Sequence, residues 1–220
     1  MDFFIFIIYT MEINLITNQL IEGIQQTSLL EFIGVVSGII SVWLSTKENI
    51  WVYPIGLINT IIYVYISIKG HLLGEASVNV YYTIMSVYGW VLWAKKDEQK
   101  INYILHITYN GKKDWIQQLL FFSTLYVILY LALIELKQSF AHGAIPWLDA
   151  FASATAYTAM WLMAKKKVAS WYWWIATNCT AIYLYFVKGY VFTSLQFIIL
   201  VFIAIQGLII WNKKAQHATH

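Results

Sequence analysis

This sequence predicts an all-α integral membrane protein of seven transmembrane helices, built as two parallel, duplicated triple-helix repeats around a single linker helix. Composition is the first reason: 60% of the 220 residues are hydrophobic and 11% are charged, against roughly half apolar and about a quarter charged in soluble domains. Length is the second. The blocks 49–68, 76–94, 115–134, 168–187 and 189–212 carry almost no charge, and each approaches the ~20 residues a helix needs to cross ~30 Å of hydrocarbon. Repetition is the third. Leu30-Glu31 recurs as Leu148-Asp149, Trp43-Leu44 with Lys47 as Trp161-Leu162 with Lys165, and Gly89, Trp93 and Lys95-Lys96 as Gly207, Trp211 and Lys213-Lys214. Trp51, Tyr63 and Tyr65 recur as Trp171, Tyr183 and Tyr185 if the second copy has gained two loop residues.

Taken in order, residues 1–28 form an N-terminal segment whose apolar patch, Phe3 to Tyr9, is too short to span and lacks the basic start and cleavage site of a secretory signal. It is expected to lie at the membrane interface. The first repeat, 29–96, holds helices at about 29–45, 51–68 and 76–94. Pro54 falls in the first turn or so of the second of these, where its missing amide costs little. Residues 97–136 supply a polar loop and the linker helix, which is rich in Leu, Phe and Tyr and suits a position facing lipid. An odd linker makes the second triplet enter from the same side as the first, so the repeats are parallel about an axis near the membrane normal. The second repeat, 137–214, starts with an outside loop, has Pro146 at an entry turn, and holds helices at about 147–164, 171–187 and 192–211; 215–220 is a tail. The shorter blocks 32–46 and 150–164 begin beside Glu31 and Asp149, acids that suit the interface or the positive end of a helix dipole.

Every basic residue is a lysine, so orientation can be read from where they fall. Lys47, Lys95, Lys96, Lys100, Lys112, Lys113, Lys165, Lys166, Lys167, Lys213 and Lys214 lie on the side of the C-terminus, against Lys69, Lys137 and Lys188 on the other. The positive-inside rule then places the N-terminus outside and the C-terminus in the cytoplasm. Topology accounts for these lysines, and nucleic acid is not an expected partner. The one cysteine, Cys179, excludes an intrachain disulfide.

Polar groups inside such helices are expensive and usually face the bundle interior or a water-filled path. The densest set lies on the sixth helix, where Trp171, Trp174, Asn178 and Tyr185 share one face. Trp171, Tyr172 and Trp173 also suit an interfacial aromatic belt, whereas Trp174 and Asn178 lie deeper. Tyr183 joins the candidates on this helix, Asn59 and Tyr63 on the second, Asn79, Tyr82 and Ser86 on the third, and Thr193, Gln196 and Gln206 on the seventh. Each could instead serve as interhelical glue. There is no glycine-rich phosphate loop, no mid-helix acid pair for a proton relay, and no histidine or cysteine set at metal spacing. The expectation is a protein that is not an enzyme and needs no cofactor. Aromatic planes and amides suit a flat neutral or cationic solute, and two similar halves that rock can expose one central site to each side in turn.

The three, one, three layout with Trp171-x-x-Trp174-x-x-x-Asn178 on the sixth helix resembles the PnuC family of vitamin transporters over nearly the whole chain, from about Leu29 to Trp211. The resemblance implies a fold similar to the SWEET sugar transporters. It also implies facilitated diffusion of nicotinamide riboside in a bacterial cytoplasmic membrane, with trapping by a separate cytoplasmic kinase, and a binding pair at Trp174 and Asn178. Relatives in that family carry thiamine or riboflavin. The pyridinium of nicotinamide riboside fits a tryptophan face through a cation–π contact of roughly 0.5 to 2 kcal/mol, but the cationic ring of thiamine fits equally. A sugar carrier of the same fold and a non-transporting membrane scaffold or receptor are the alternatives. The implied partners are the small-molecule substrate, the lipid bilayer and the kinase, with a homo-oligomer among the assemblies left open.

Overall fold

The computed structural model describes residues 27–69, 73–96, 103–137 and 145–217, with scattered positions between 14 and 25. The apolar patch Phe3 to Tyr9 lies outside the described residues. Among the described residues from 27 onward, seven helices follow one another: α1 (Leu29–Thr46), α2 (Val52–Lys69), α3 (Leu73–Ala94), α4 (Lys112–Lys137), α5 (Pro146–Ala164), α6 (Ser170–Val187) and α7 (Val191–His217). α1, α2, α4 and α7 are long and apolar enough to cross a membrane. The other three carry the polar load, with Glu75 and Asn79 on α3, Asp149, Thr155 and Thr158 on α5, and Asn178 on α6.

Helix ends follow from local chemistry. Ser28 caps α1 by accepting from the Glu31 amide at 3.2 Å. At the start of α5, Pro146 stands where a missing N–H costs nothing, and Asp149 Oδ2 accepts from the Ile145 amide at 2.6 Å. Gly189, at φ 81°, follows the end of α6, where the Tyr190 amide reaches the Tyr185 carbonyl at 2.8 Å. That left-handed residue after a helix is where glycine avoids a Cβ penalty.

The neighbours in space are α1 with α2, α2 with α3, α5 with α6 and α6 with α7, so each set of three helices packs as a unit. The two sets meet where α3 lies on α5 and α1 lies on α7, while α4 lies along α5 and is also reached by Trp173 of α6. α5 is the most enclosed helix; Ala150, Ala154, Ala156 and Ala159 are buried along it, and such small side chains let helices approach closely in a membrane. α4 turns Ile116, Leu120, Ile128 and Leu131 outward.

The α1–α2 and α5–α6 turns share one geometry. Glu48 and Lys166, 118 positions apart, are the non-glycine residues of positive φ among the described residues, at 61° and 50°. The next amides, of Asn49 and Lys167, bond to the Leu44 and Leu162 carbonyls at 3.1 and 3.0 Å. This corrects the two-residue insertion expected in the second copy. The turns are of equal length, so the counterpart of Trp171 is Tyr53 and not Trp51. Tyr53 packs under Gly89 and Trp171 under Gly207, and burial explains the exchange because each ring fills the same kind of hole.

Tyr53, Trp93, Trp171 and Trp211 form the large-residue core at the lysine-rich end, each between 0% and 2% exposed. Their rings run Tyr53 to Trp93 at 5.1 Å, Trp93 to Trp211 at 6.1 Å and Trp211 to Trp171 at 5.5 Å. Trp93 Nε1 donates to the Ala164 carbonyl at 3.2 Å, and Trp211 Nε1 to the Ser45 carbonyl at 3.1 Å.

Candidate functional site

α6 positions the pair that the sequence singled out. Trp174 is half-buried, and its ring lies 6.1 Å from that of Tyr82 on α3 at an interplanar angle of 52°. Asn178, one helical turn further on, is 4% exposed, and among the described residues nothing hydrogen-bonds its amide. The enclosed polar atoms left without a partner do not include this amide, so its donor and acceptor reach accessible space, where an external group can meet them. Behind the pair, Thr177 Oγ1 donates to Thr155 Oγ1 of α5 at 2.9 Å and fixes the facing of α6.

The aromatic surface continues across the junction of the two helix sets. Tyr82 neighbours Tyr81 at 6.2 Å, and the Tyr81 ring meets that of Tyr157 on α5 edge-on at 4.4 Å. The Tyr81 hydroxyl donates to the Tyr157 carbonyl at 3.0 Å. Sequence reasoning passed over Tyr81 and Tyr157. Tyrosine makes up 16 of the 220 residues, and nothing in spacing alone marks these two.

The other sequence candidates take different places. Trp171 is fully buried at the lysine-rich end, inside the Trp211 and Gly207 packing, and is not brought to the pair; it is no belt residue, whereas Tyr172 is 49% exposed. Trp173 is occupied by α4, its Nε1 donating to Gln118 Oε1 at 2.9 Å. Asn59 Nδ2 donates to the Gly34 carbonyl of α1 at 2.7 Å, and Asn79 Nδ2 to the Glu75 carbonyl at 2.9 Å. Both amides are spent on the scaffold. Tyr63 is half-buried against Gly34, Gln196 is half-buried on α7, and Tyr183 is 58% exposed on the outer face of α6. Tyr185 is half-buried, its ring stacked on Phe197 at 5.3 Å.

Of the two acids that begin repeats, Asp149 pairs with Lys188 at 2.9 Å and Glu31 sits in the first turn of α1. Neither reaches the pair. Among the described residues no group of three or more His, Cys, Asp or Glu side chains converges to hold a metal ion.

Apolar helices of membrane length that hold an asparagine and a half-buried tryptophan between them are the build of a membrane transport protein. Residues 28–213 match the family described as Nicotinamide mononucleotide transporter, and the chain belongs to that family of membrane transporters. It is 24% identical over 208 residues to the nicotinamide riboside transporter PnuC of Escherichia coli, covering 86% of this chain and 87% of that one. It is 20% identical over 186 residues to the riboflavin/roseoflavin transporter RibM of Streptomyces davaonensis, covering 84% and 85%. Its fold is similar to a crystal structure of the vitamin B3 transporter PnuC, with a TM-score of 0.67 at 21% identity over 93% of this chain and 90% of that one.

Proposed function

We propose that this protein carries nicotinamide riboside across the bacterial cytoplasmic membrane by facilitated diffusion, one central site being exposed to each side in turn. The observation that carries this reading is Asn178, a residue 4% exposed whose amide makes no hydrogen bond among the described residues, one turn from Trp174 and its neighbour Tyr82. A flat cationic ring gains roughly 0.5 to 2 kcal/mol on a tryptophan face, more as water is excluded. The carboxamide of the riboside offers Asn178 both a donor and an acceptor. A PnuC relative supports the choice of vitamin, and RibM shows that a relative of similar length is named for a different ring.

All seven helices span the bilayer in this reading, as two parallel SWEET-like triplets with α4 as linker, the N-terminus outside and the lysine-rich end in the cytoplasm. The paired turns 118 residues apart and the α3–α5 and α1–α7 contacts support the arrangement. Net uptake comes from a separate cytoplasmic kinase that phosphorylates the solute and removes it from the exchange.

Titration calorimetry on the purified protein with nicotinamide riboside, thiamine, riboflavin and a hexose tests the assignment. Binding of nicotinamide riboside alone is expected. A preference for thiamine or riboflavin would keep the mechanism and replace the vitamin, a hexose would make it a sugar carrier, and binding of none would favour a scaffold.

A further inference from the structure

Beyond the Tyr81–Tyr157 and Tyr82–Trp174 contacts, the two helix sets are tied by charged groups and indoles at the lysine-rich end. Glu48 Oε1 accepts from Lys166 Nζ at 2.6 Å and Glu48 Oε2 from Lys214 Nζ at 2.9 Å. Lys166 also donates to the Leu105 carbonyl at 2.9 Å and lies 4.7 Å from the Trp93 ring. Beneath this cluster the Trp93 and Trp211 indoles each donate to a carbonyl of the opposite set, at Ala164 and Ser45. At the other end, among the described residues, the ion pair is Lys188 with Asp149, and both belong to the second set.

Three features of this seal suit something that opens. The Lys166 side chain is only 5% exposed, and a buried ion pair is a poor source of net stability because both ions lose their water. Parting it returns that hydration, so the closed and open arrangements lie closer in energy than an apolar seal would allow. Both central residues hold a left-handed backbone without being glycine, a strained conformation that clusters where chains switch. Finally, the Tyr53 hydroxyl and Trp171 Nε1, in matching positions of the aromatic layer just inside, are buried without a partner; water entering an opened end would satisfy both.

We propose that Glu48 and Lys166 form a latch that holds the lysine-rich end shut over Trp174 and Asn178 and parts when that end opens. It rests on the carrier reading only in requiring an opening, not on which solute passes. The test places spin labels at Lys47→Cys and Lys165→Cys, one on each turn, with the exposed Cys179 changed to serine, and measures the distance between them by electron resonance in the protein reconstituted in lipid. Glu48 intact should give one short-distance population, and Glu48→Gln, which leaves Lys166 buried and unpaired, should add a second population several ångström longer. An unchanged distribution overturns the latch. If Glu48→Gln does not fold, Lys166→Met, which keeps the Glu48–Lys214 pair, should give the same second population, and an unchanged distribution there is equally decisive. These distances need no solute, so a distribution that responds while nicotinamide riboside does not bind would fail the substrate reading and leave the latch standing.

Discussion

Asn178 and Trp174 differ from the other polar and aromatic candidates in what their side chains are already doing. Asn59 and Asn79 donate to backbone carbonyls within the scaffold, whereas among the described residues nothing hydrogen-bonds the Asn178 amide. Asn178→Ala should therefore weaken nicotinamide riboside binding by about ten- to a hundredfold, the worth of one or two hydrogen bonds made in a buried place, with the melting temperature little changed. Trp174→Ala should cost about two- to thirtyfold through the lost ring face; calorimetry on both variants checks this, and full binding in both would move the site elsewhere. Glu31→Gln, in the first turn of α1 and away from the pair, is expected to bind within about twofold of the parent. The sequence marked Trp174 and Asn178 because depth in an apolar helix makes polarity costly. It overvalued Trp171, because an i, i+3, i+7 pattern reports a shared face and does not say where along the helix the bundle interior ends.

Between elements, the tightest fits are the two holes that glycine leaves for an aromatic ring. A Cβ at Gly207 would stand 2.5 Å from the Trp171 ring and one at Gly89 2.5 Å from the Tyr53 hydroxyl. Neither ring has room to retreat, since Trp171 is 0% and Tyr53 2% exposed. Gly207→Ala should destabilise the protein by roughly 1 to 3 kcal/mol, the usual cost of overpacking, seen as a lower melting temperature in detergent. Losing the indole bond of Trp93 to the Ala164 carbonyl through Trp93→Phe should cost about 1 kcal/mol, most of it expressed at the contact of α3 with α5. Gly89, Trp93, Gly207 and Trp211 stood out in the sequence as a repeated pattern, but not what fills the gap each glycine leaves.

For the molecule as a whole, the Glu48 cluster links pH to stability. Burial works against the charge of Glu48, but the Lys166 and Lys214 ammoniums outweigh it and hold the carboxyl below its ordinary value of 4.5. A carboxyl lowered by folding contributes stability that is complete above pH 4.5 and is lost as pH falls through the lowered value. The melting temperature should thus be flat down to about that pH and then drop, with a shallower drop in Glu48→Gln; identical acid profiles would mean that the pair contributes nothing.

The sequence by itself determined the class of protein and the helical segments, and it singled out the pair on α6. Each follows from a local cost: apolar length against the thickness of a bilayer, and polarity against hydrocarbon. What the tertiary structure decided is which polar groups are spent and which are free, since a hydrogen bond such as Asn59 to Gly34, 25 positions apart, depends on how two helices meet. The turn register and the role of Lys166 were decided there as well. Lys166 stands in a run of three lysines that one-dimensional counting can only score as topology, and a charge becomes part of a seal only when folding brings a carboxylate from 118 residues away and removes the water between them.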